Sequence, residues 1–325
     1  MKACVDIGGT KVAVSLVASD ARMAEPPPIA VRVSEPTIKH GDVGALAAQV
    51  LSLIDAACAR LGMQRAGIST TGVSSCGPFV LKDGRIEVAN PNICGGLAGS
   101  PRGIGNEWTQ VPLEAPLCAA LGTVRIANDA VAALEAERRW GALRGSEHCA
   151  YVTWSTGVGV GLCVDGRVLR GKNGNAGHAG HSFVVDGDAA ALCGCGNHGD
   201  VESMIAGGSL VRRIGTDAQS LLLAAKQGSV DALREVGYLC EVMGRLLYNL
   251  VATLDLQRIS LGGAVFLHHA PLLLPLLEKE LARYFPALTQ GVELHVAGLG
   301  DKVGDYAALA LITEDESGRP CPSGR

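Results

Sequence analysis

Short apolar runs broken by glycine corners dominate the chain, and only a few stretches carry the apolar spacing of an amphipathic helix. Lys2 to Val17 is rich in Val and Ala and is interrupted at Gly8-Gly9, which predicts two strands joined by a tight turn. Leu46, Val50, Leu53, Ile54 and Ala57 fall on one helical face, so a helix is predicted over Val43 to Leu61, with a strand from Ala66 to Val73 after it. Asn90 to Asn106 has no period and many Gly and Pro residues, and reads as a long loop. Val124 to Ala127 reads as a buried strand ending at Asn128-Asp129, and Ala130 to Trp140 as an Ala/Glu/Arg-rich helix.

The second half opens in the same way. Ala150 to Thr153 reaches a turn at Ser155-Thr156-Gly157, continues from Val158 to Val164, and meets a hairpin signal at Asp165-Gly166. Helical spacing then covers Asp231 to Leu254, Leu272 to Tyr284 and Gly304 to Thr313, with strands at Arg258 to Leu261 and Val292 to Val296. A strand-turn-strand start in each half predicts an α/β chain of two lobes. The expected division is a smaller N-terminal lobe over 1–127, joined by the C-terminal helix at about 304–316, and a larger lobe over 128–303 that carries a loop at 178–202. The polar, Pro/Gly-rich tail at 317–325 is expected to be disordered.

Composition narrows the function. With 325 residues, 48% of them hydrophobic, the chain can bury two ordinary cores. Its net charge is −4 and no Lys/Arg block stands out, which argues against nucleic acid or an anionic membrane as partner and leaves a small molecule. No run of about 18 apolar residues could span a bilayer, and Asp6 and Lys11 interrupt the first apolar run, so a cytoplasmic location is expected. Of the eleven cysteines, Cys4, Cys58, Cys118, Cys149, Cys163 and Cys240 sit singly in apolar surroundings as small core residues. Only Cys193 and Cys195 are spaced as ligands.

Gly180-His181 is followed after eleven residues by Cys193-Gly194-Cys195, a spacing that one tetrahedral metal ion explains better than packing does. The donor types point to zinc held by His181, Cys193, Cys195 and, as fourth ligand, Asp200, with His198 as the alternative. Asp6-Ile7-Gly8-Gly9-Thr10-Lys11 puts an acid, a glycine turn and two donors together. Its backbone N–H groups could approach phosphate oxygens while Asp6 holds Mg²⁺, although an ordinary glycine turn has the same appearance. Similar corners at Thr156-Gly157 and Gly262-Gly263, all at strand ends, favour a nucleoside triphosphate. Asn128-Asp129 could cap the following helix or supply the carboxylate that accepts a hydroxyl proton.

Taken together, the Asp6 to Lys11 turn, His181, Cys193, Cys195 and Glu202 resemble the ROK sugar kinases. That family's signature is Gly-His, about eleven residues, then Cys-x-Cys-Gly-x-x-Gly-Cys-x-Glu, and the resemblance runs from residue 2 to about residue 312. It implies a two-lobed actin-like ATPase fold of the hexokinase type with a central cleft, a homodimer, and the ligands ATP, Mg²⁺, structural Zn²⁺ and a sugar. It further implies that Asp129 is the catalytic base, that Asn128, His178, His181 and Glu202 bind the sugar, and that Thr156-Gly157 and Gly262-Gly263 form the second phosphate turn and the adenosine-side turn. Two positions depart from the family: Asp200 stands for its third cysteine and His178 for its first sugar-binding glutamate. A neutral imidazole cannot chelate two hydroxyls as a carboxylate does, which puts plain glucose in doubt. Kanosamine, a mannose-type or N-acetylated hexose, or a C7-cyclitol are the alternative acceptors. The family's sugar-sensing regulators carry a helix-turn-helix ahead of the first glycine motif, and no such segment precedes Asp6 here. A catalytically dead sugar-binding protein is disfavoured by the presence of Asp129 and three glycine corners.

Overall fold

The computed structural model describes residues 1–18, 25–97, 103–186 and 191–313. The expected disordered tail, the helix extension to 316 and the middle of the 90–106 loop lie outside the described residues.

Among the described residues two compact units emerge, one of Met1–Trp140, Arg170–Ala176 and 302–313, the other of Gly141–Leu169 and Gly177–Asp301. The division anticipated after Ala127 falls inside the first unit. The helix that follows, Asp129–Trp140, packs along the C-terminal helix Val303–Ala310, and Trp140 meets Tyr306 edge-on at 5.9 Å.

In the first unit the strands are β1 (Lys2–Ile7), β2 (Lys11–Val17), β3 (Val31–Pro36) and β4 (Thr70–Ser75), then a small sheet of β5 (Phe79–Lys82), β6 (Arg85–Val88) and β7 (Val111–Pro112), and finally β8 (Val124–Asn128). The main sheet is ordered β3-β2-β1-β4-β8, antiparallel from β3 to β1 and parallel from β1 through β4 to β8. Both faces of β1 are covered, which explains its near-continuous apolar run. Helix α1 (Ala45–Arg60) buries Leu46, Val50, Leu53 and Ile54 in a core shared with Ala3, Val5 and Ile7, and the C-terminal helix packs against β1 and β4. That second contact is tight: a Cβ at Gly72 would overlap the carbonyl oxygen of Ala308. Helices α2 (Glu114–Leu121) and α3 (Asp129–Trp140) flank β8, whose first three residues are only half-buried because it is the edge strand. Between α1 and β4, Arg65–Gly67 forms a 3-10 turn and the strand starts at Thr70, four residues later than anticipated. Asn175 ties the 170–176 segment to β5, its amide oxygen accepting the Phe79 N–H and its amide nitrogen donating to the Phe79 carbonyl, each at 2.7 Å.

The second unit repeats the topology. Strands β9 (Cys149–Trp154), β10 (Val158–Val164), β11 (Arg167–Val168), β12 (Arg258–Gly262) and β13 (Glu293–Val296) are ordered β11-β10-β9-β12-β13, with the same switch from antiparallel to parallel at the first strand of the repeat. Helices α4 (Val201–Ile205), α5 (Gly207–Ile214), α6 (Ala218–Lys226), α7 (Val230–Leu254), α8 (Ala264–Leu267), α9 (Ala270–Leu281) and α10 (Pro286–Thr289) follow. Val236, Leu239, Met243 and Leu250 of α7 and Leu273 and Leu277 of α9 join Trp154, Val160 and Leu261 in one core. Two sheets of identical strand order and pairing sense are the duplicated actin-like fold. Among the described residues no helix is long and apolar enough to cross a membrane.

Candidate active site and metal centre

In the first unit the parallel register sets Ile7 beside Ser75 and Ser75 beside Asn128, so the carboxyl ends of β1, β4 and β8 form one edge. Two strand spacings, about 10 Å, therefore separate the backbone of the Gly8-Gly9 turn from that of Asn128. Ligands of α/β sheets bind at such an edge. The turn is fixed from behind. Gly8 donates its N–H to the Lys11 carbonyl (2.9 Å), Thr37 donates its hydroxyl to the Gly8 carbonyl (2.6 Å), and a Cβ at Gly9 would lie 2.5 Å from Cβ of Asn92. Thr10 and Lys11 are exposed at its tip.

Asn128 is buried and Asp129 exposed, and a carboxamide or carboxylate Oδ1 of each lies within reach of the Ala130 N–H, at 3.0 and 2.9 Å. The helix-capping role weighed from sequence is thus realised, and it fixes the direction of the Asp129 carboxylate. Asp6 projects from the same edge. Burial, and then the Asp129 charge, push its carboxyl up to about 7, with Asp305 adding to the rise and Lys11 and Arg32 opposing it. A cation at this edge would relieve the repulsion between the two carboxylates. Cys76, at the end of β4, was not singled out from sequence. Burial and the charges of Asp129 and Asp6 hold its thiol well above the ordinary range. A lone cysteine carries no sequence signal, and only the strand register reveals its neighbours.

The second unit holds the other predicted residues. Gly177 and Gly180 lie flat on β10, where a Cβ on either would overlap the carbonyl oxygen of Val160 or Val158, and His178 and His181 stack at 6.1 Å between ring centroids. The donor atoms of His181, Cys193, Cys195 and Asp200 lie within 4.8 Å of one another. The pairs Cys193 Sγ to His181 Nδ1 (3.6 Å), Cys195 Sγ to Asp200 Oδ2 (3.5 Å) and His181 Nδ1 to Asp200 Oδ2 (3.1 Å) approach tetrahedral zinc spacing. Bond lengths of about 2.3 Å to sulfur and 2.0 Å to nitrogen or oxygen place such pairs about 3.5 and 3.3 Å apart. These three pairs match zinc spacing, and the whole set, within 4.8 Å, would have to draw together at its widest pair to hold one ion. His198 is exposed and is not in the group. Asp200 is fully buried and caps α4 through Oδ1, which accepts the Ser203 N–H at 2.8 Å. Burial raises its carboxyl, but the hydrogen bonds from His181 and Ser203 outweigh this and hold it at about 2, an anionic oxygen donor.

The β9–β10 turn at Ser155-Thr156-Gly157 and the Gly262-Gly263 corner lie side by side, since Gly262 pairs with Thr153 in parallel register. Gly263 has φ 86° and its Cβ position lies 2.5 Å from the Trp154 carbonyl, so only glycine fits. Glu202 does not stand apart as a lone sugar ligand. Its Oε2 accepts the Val158 N–H at 3.0 Å and its Oε1 lies 3.5 Å from Cys193 Sγ.

The chain is similar to several known proteins. It is 32% identical over 283 residues to a glucokinase of Aeropyrum pernix, covering 80% of this chain and 84% of that one. It is 33% identical over 306 residues to an N-acetylmannosamine kinase of Citrobacter koseri, covering 91% and 94%. Among solved structures it matches a ROK hexokinase from Thermus thermophilus with a TM-score of 0.75 and 30% identity, over 95% of this chain and 97% of that one. The ROK family profile matches residues 2–315, and with the duplicated sheets and the His-Cys-Cys knuckle this places the chain in the ROK family.

Proposed function

We propose that this protein is an ATP-dependent sugar kinase that transfers the γ-phosphoryl group to the primary (6-) hydroxyl of a hexose or amino-hexose. The observation that carries this reading is the convergence of Asp6, the Gly8-Gly9 turn and Asn128-Asp129 on one sheet edge. Phosphoryl transfer to an alcohol needs a carboxylate to accept the hydroxyl proton and cations to offset the phosphate charge. Asp129, exposed and oriented by its bond to the Ala130 N–H, is suited to take that proton, and Asn128 to orient the hydroxyl. Asp6 would hold Mg²⁺, which neutralises charge on the phosphates when bound, and the turn that Gly8 closes offers N–H, hydroxyl and ammonium donors from Gly9 to Lys11. Thr156-Gly157 and Gly262-Gly263 are assigned to the phosphates and the adenosine side, and His178, His181 and Glu202 to ring hydroxyls. A zinc ion held by His181, Cys193, Cys195 and Asp200 would be structural, fixing the His181 ring.

Relatives named for glucose and for N-acetylmannosamine fit this reading equally well, and His178 favours an acceptor other than plain glucose. A coupled ADP-release assay with ATP and Mg²⁺ against glucose, mannose, N-acetylglucosamine, N-acetylmannosamine, kanosamine and C7-cyclitols tests it. Turnover on a hexose or amino-hexose is expected. Turnover confined to cyclitols would move the protein to that substrate class, and no ADP release with any acceptor would overturn the kinase reading.

A further inference from the structure

We infer that Glu202 is a positioning residue that clamps the Ser155-Thr156-Gly157 turn to the metal knuckle, so that the state of the knuckle sets how well this turn holds phosphate. The inference rests on the phosphate role proposed for the turn. Glu202 lies two residues after Asp200 on α4, a helix whose only side-chain cap is Asp200 itself. One of its oxygens takes the Val158 N–H and the other faces Cys193 Sγ, so a single carboxylate touches both the turn and a metal ligand. A Cβ at Gly157 would lie 2.6 Å from Oε2, which shows how closely the turn rests on the carboxylate.

The chain beyond Glu202 completes the clamp. Gly207 donates its N–H to the Ser155 carbonyl (2.8 Å), Gly208 donates to the Thr156 carbonyl (3.1 Å), and the Trp154 indole donates to the Ile205 carbonyl (2.8 Å). Each of these bonds joins the turn, or the end of β9 that leads into it, to the segment that Asp200 starts. With the ligands drawn onto an ion, α4 begins at a fixed point and the turn is held in one conformation. When that anchor is lost, the Val158 and Gly157 backbone can relax, and the donors this turn is proposed to offer phosphate lose their preorganisation.

The test is nucleotide binding without any sugar, measured calorimetrically with a non-hydrolysable ATP analogue and Mg²⁺, alongside hydrogen exchange of the peptide spanning Val158. Four proteins are compared at measured zinc content: zinc-loaded wild type, chelator-treated wild type, E202A and E202Q. Chelation and E202A are each expected to weaken nucleotide binding about tenfold and to speed exchange at Val158 by a similar factor, the scale of one charge-assisted hydrogen bond. E202Q, whose amide oxygen can still accept the Val158 N–H, should restore most of both. A residue that served only to hold sugar would leave both readouts unchanged, and that result overturns the inference. Faster exchange with unaltered nucleotide affinity would also overturn it, because the turn would then be clamped without consequence for phosphate. If wild type binds no nucleotide, the phosphate reading fails on its own account, while unchanged exchange in E202A and in chelated protein would still refute the clamp.

Discussion

Replacing Asp6 with Asn should make the protein more stable above neutral pH and remove a pH dependence that the wild type shows. In the folded protein the Asp6 carboxyl is raised from 3.8 to about 7, first by burial and next by the Asp129 charge. Between these two values the unfolded chain has released the proton that the folded chain still holds, so stability falls as pH rises through this window. A shift of about three units corresponds to roughly 4 kcal/mol. Asp6 keeps some solvent contact, which screens the repulsion and reduces the expected loss to about 2 kcal/mol. D6N carries no charge to desolvate, so its curve should lack this slope and exceed that of wild type by about 2 kcal/mol at pH 8, with the two converging towards pH 4. Calorimetric melts of both proteins from pH 5 to 8.5 without Mg²⁺ would show it as a few degrees of difference that grows with pH. Parallel curves for the two proteins would refute the reasoning, since a packing effect of Asn would not depend on pH. Added Mg²⁺ should raise the wild-type melting temperature at pH 8 and leave D6N unmoved.

Other expectations follow from the same sites. H178E restores the carboxylate found in the family and should raise kcat/KM for glucose at least about tenfold, as a charge-assisted bond to ring hydroxyls would; unchanged or lower glucose activity in a steady-state assay would remove His178 from the specificity account. D200A should lose the metal and destabilise the protein by about 2–4 kcal/mol, because a buried cap and an imidazole partner disappear together, whereas D200C should keep one metal per chain by elemental analysis. G72A should cost about 3 kcal/mol in denaturant melts, because a methyl there collides with the backbone of the C-terminal helix and not with a movable side chain.

Much of this was legible in the chain because local pattern and tertiary demand agree. The paired starts at Lys2 to Val17 and Ala150 to Val164, each with a glycine corner, announce the duplicated sheet, and the helices that pack on it carry plain apolar periodicity. The His181-Cys193-Cys195-Asp200 grouping was legible because residues able to hold one metal ion recur at short, fixed spacings. The β5–β6 hairpin is hard to read from the sequence although Asp83-Gly84, with φ of 52° and 73°, is a hairpin signal, because its strands are short and partly exposed. Helices α4 to α6 escape a periodicity reading because each is brief and α5 begins with two glycines set by contact with the β9–β10 turn, not by helix propensity. What sequence could not give are relations across the fold: Cys76 under the charges of Asp129 and Asp6, Gly72 against Ala308, and Glu202 accepting the Val158 N–H. Each joins residues whose proximity only strand register and helix docking create.

The most direct test of the central claim is phosphoryl transfer by the D129N variant, followed as sugar-phosphate formation from ATP and the best acceptor, beside its nucleotide affinity. Loss of the proton acceptor should slow transfer about a thousandfold while nucleotide binding stays within about threefold of wild type. Transfer at the wild-type rate with Asn at position 129 would contradict the account, because no carboxylate would then be needed where Asp129 stands.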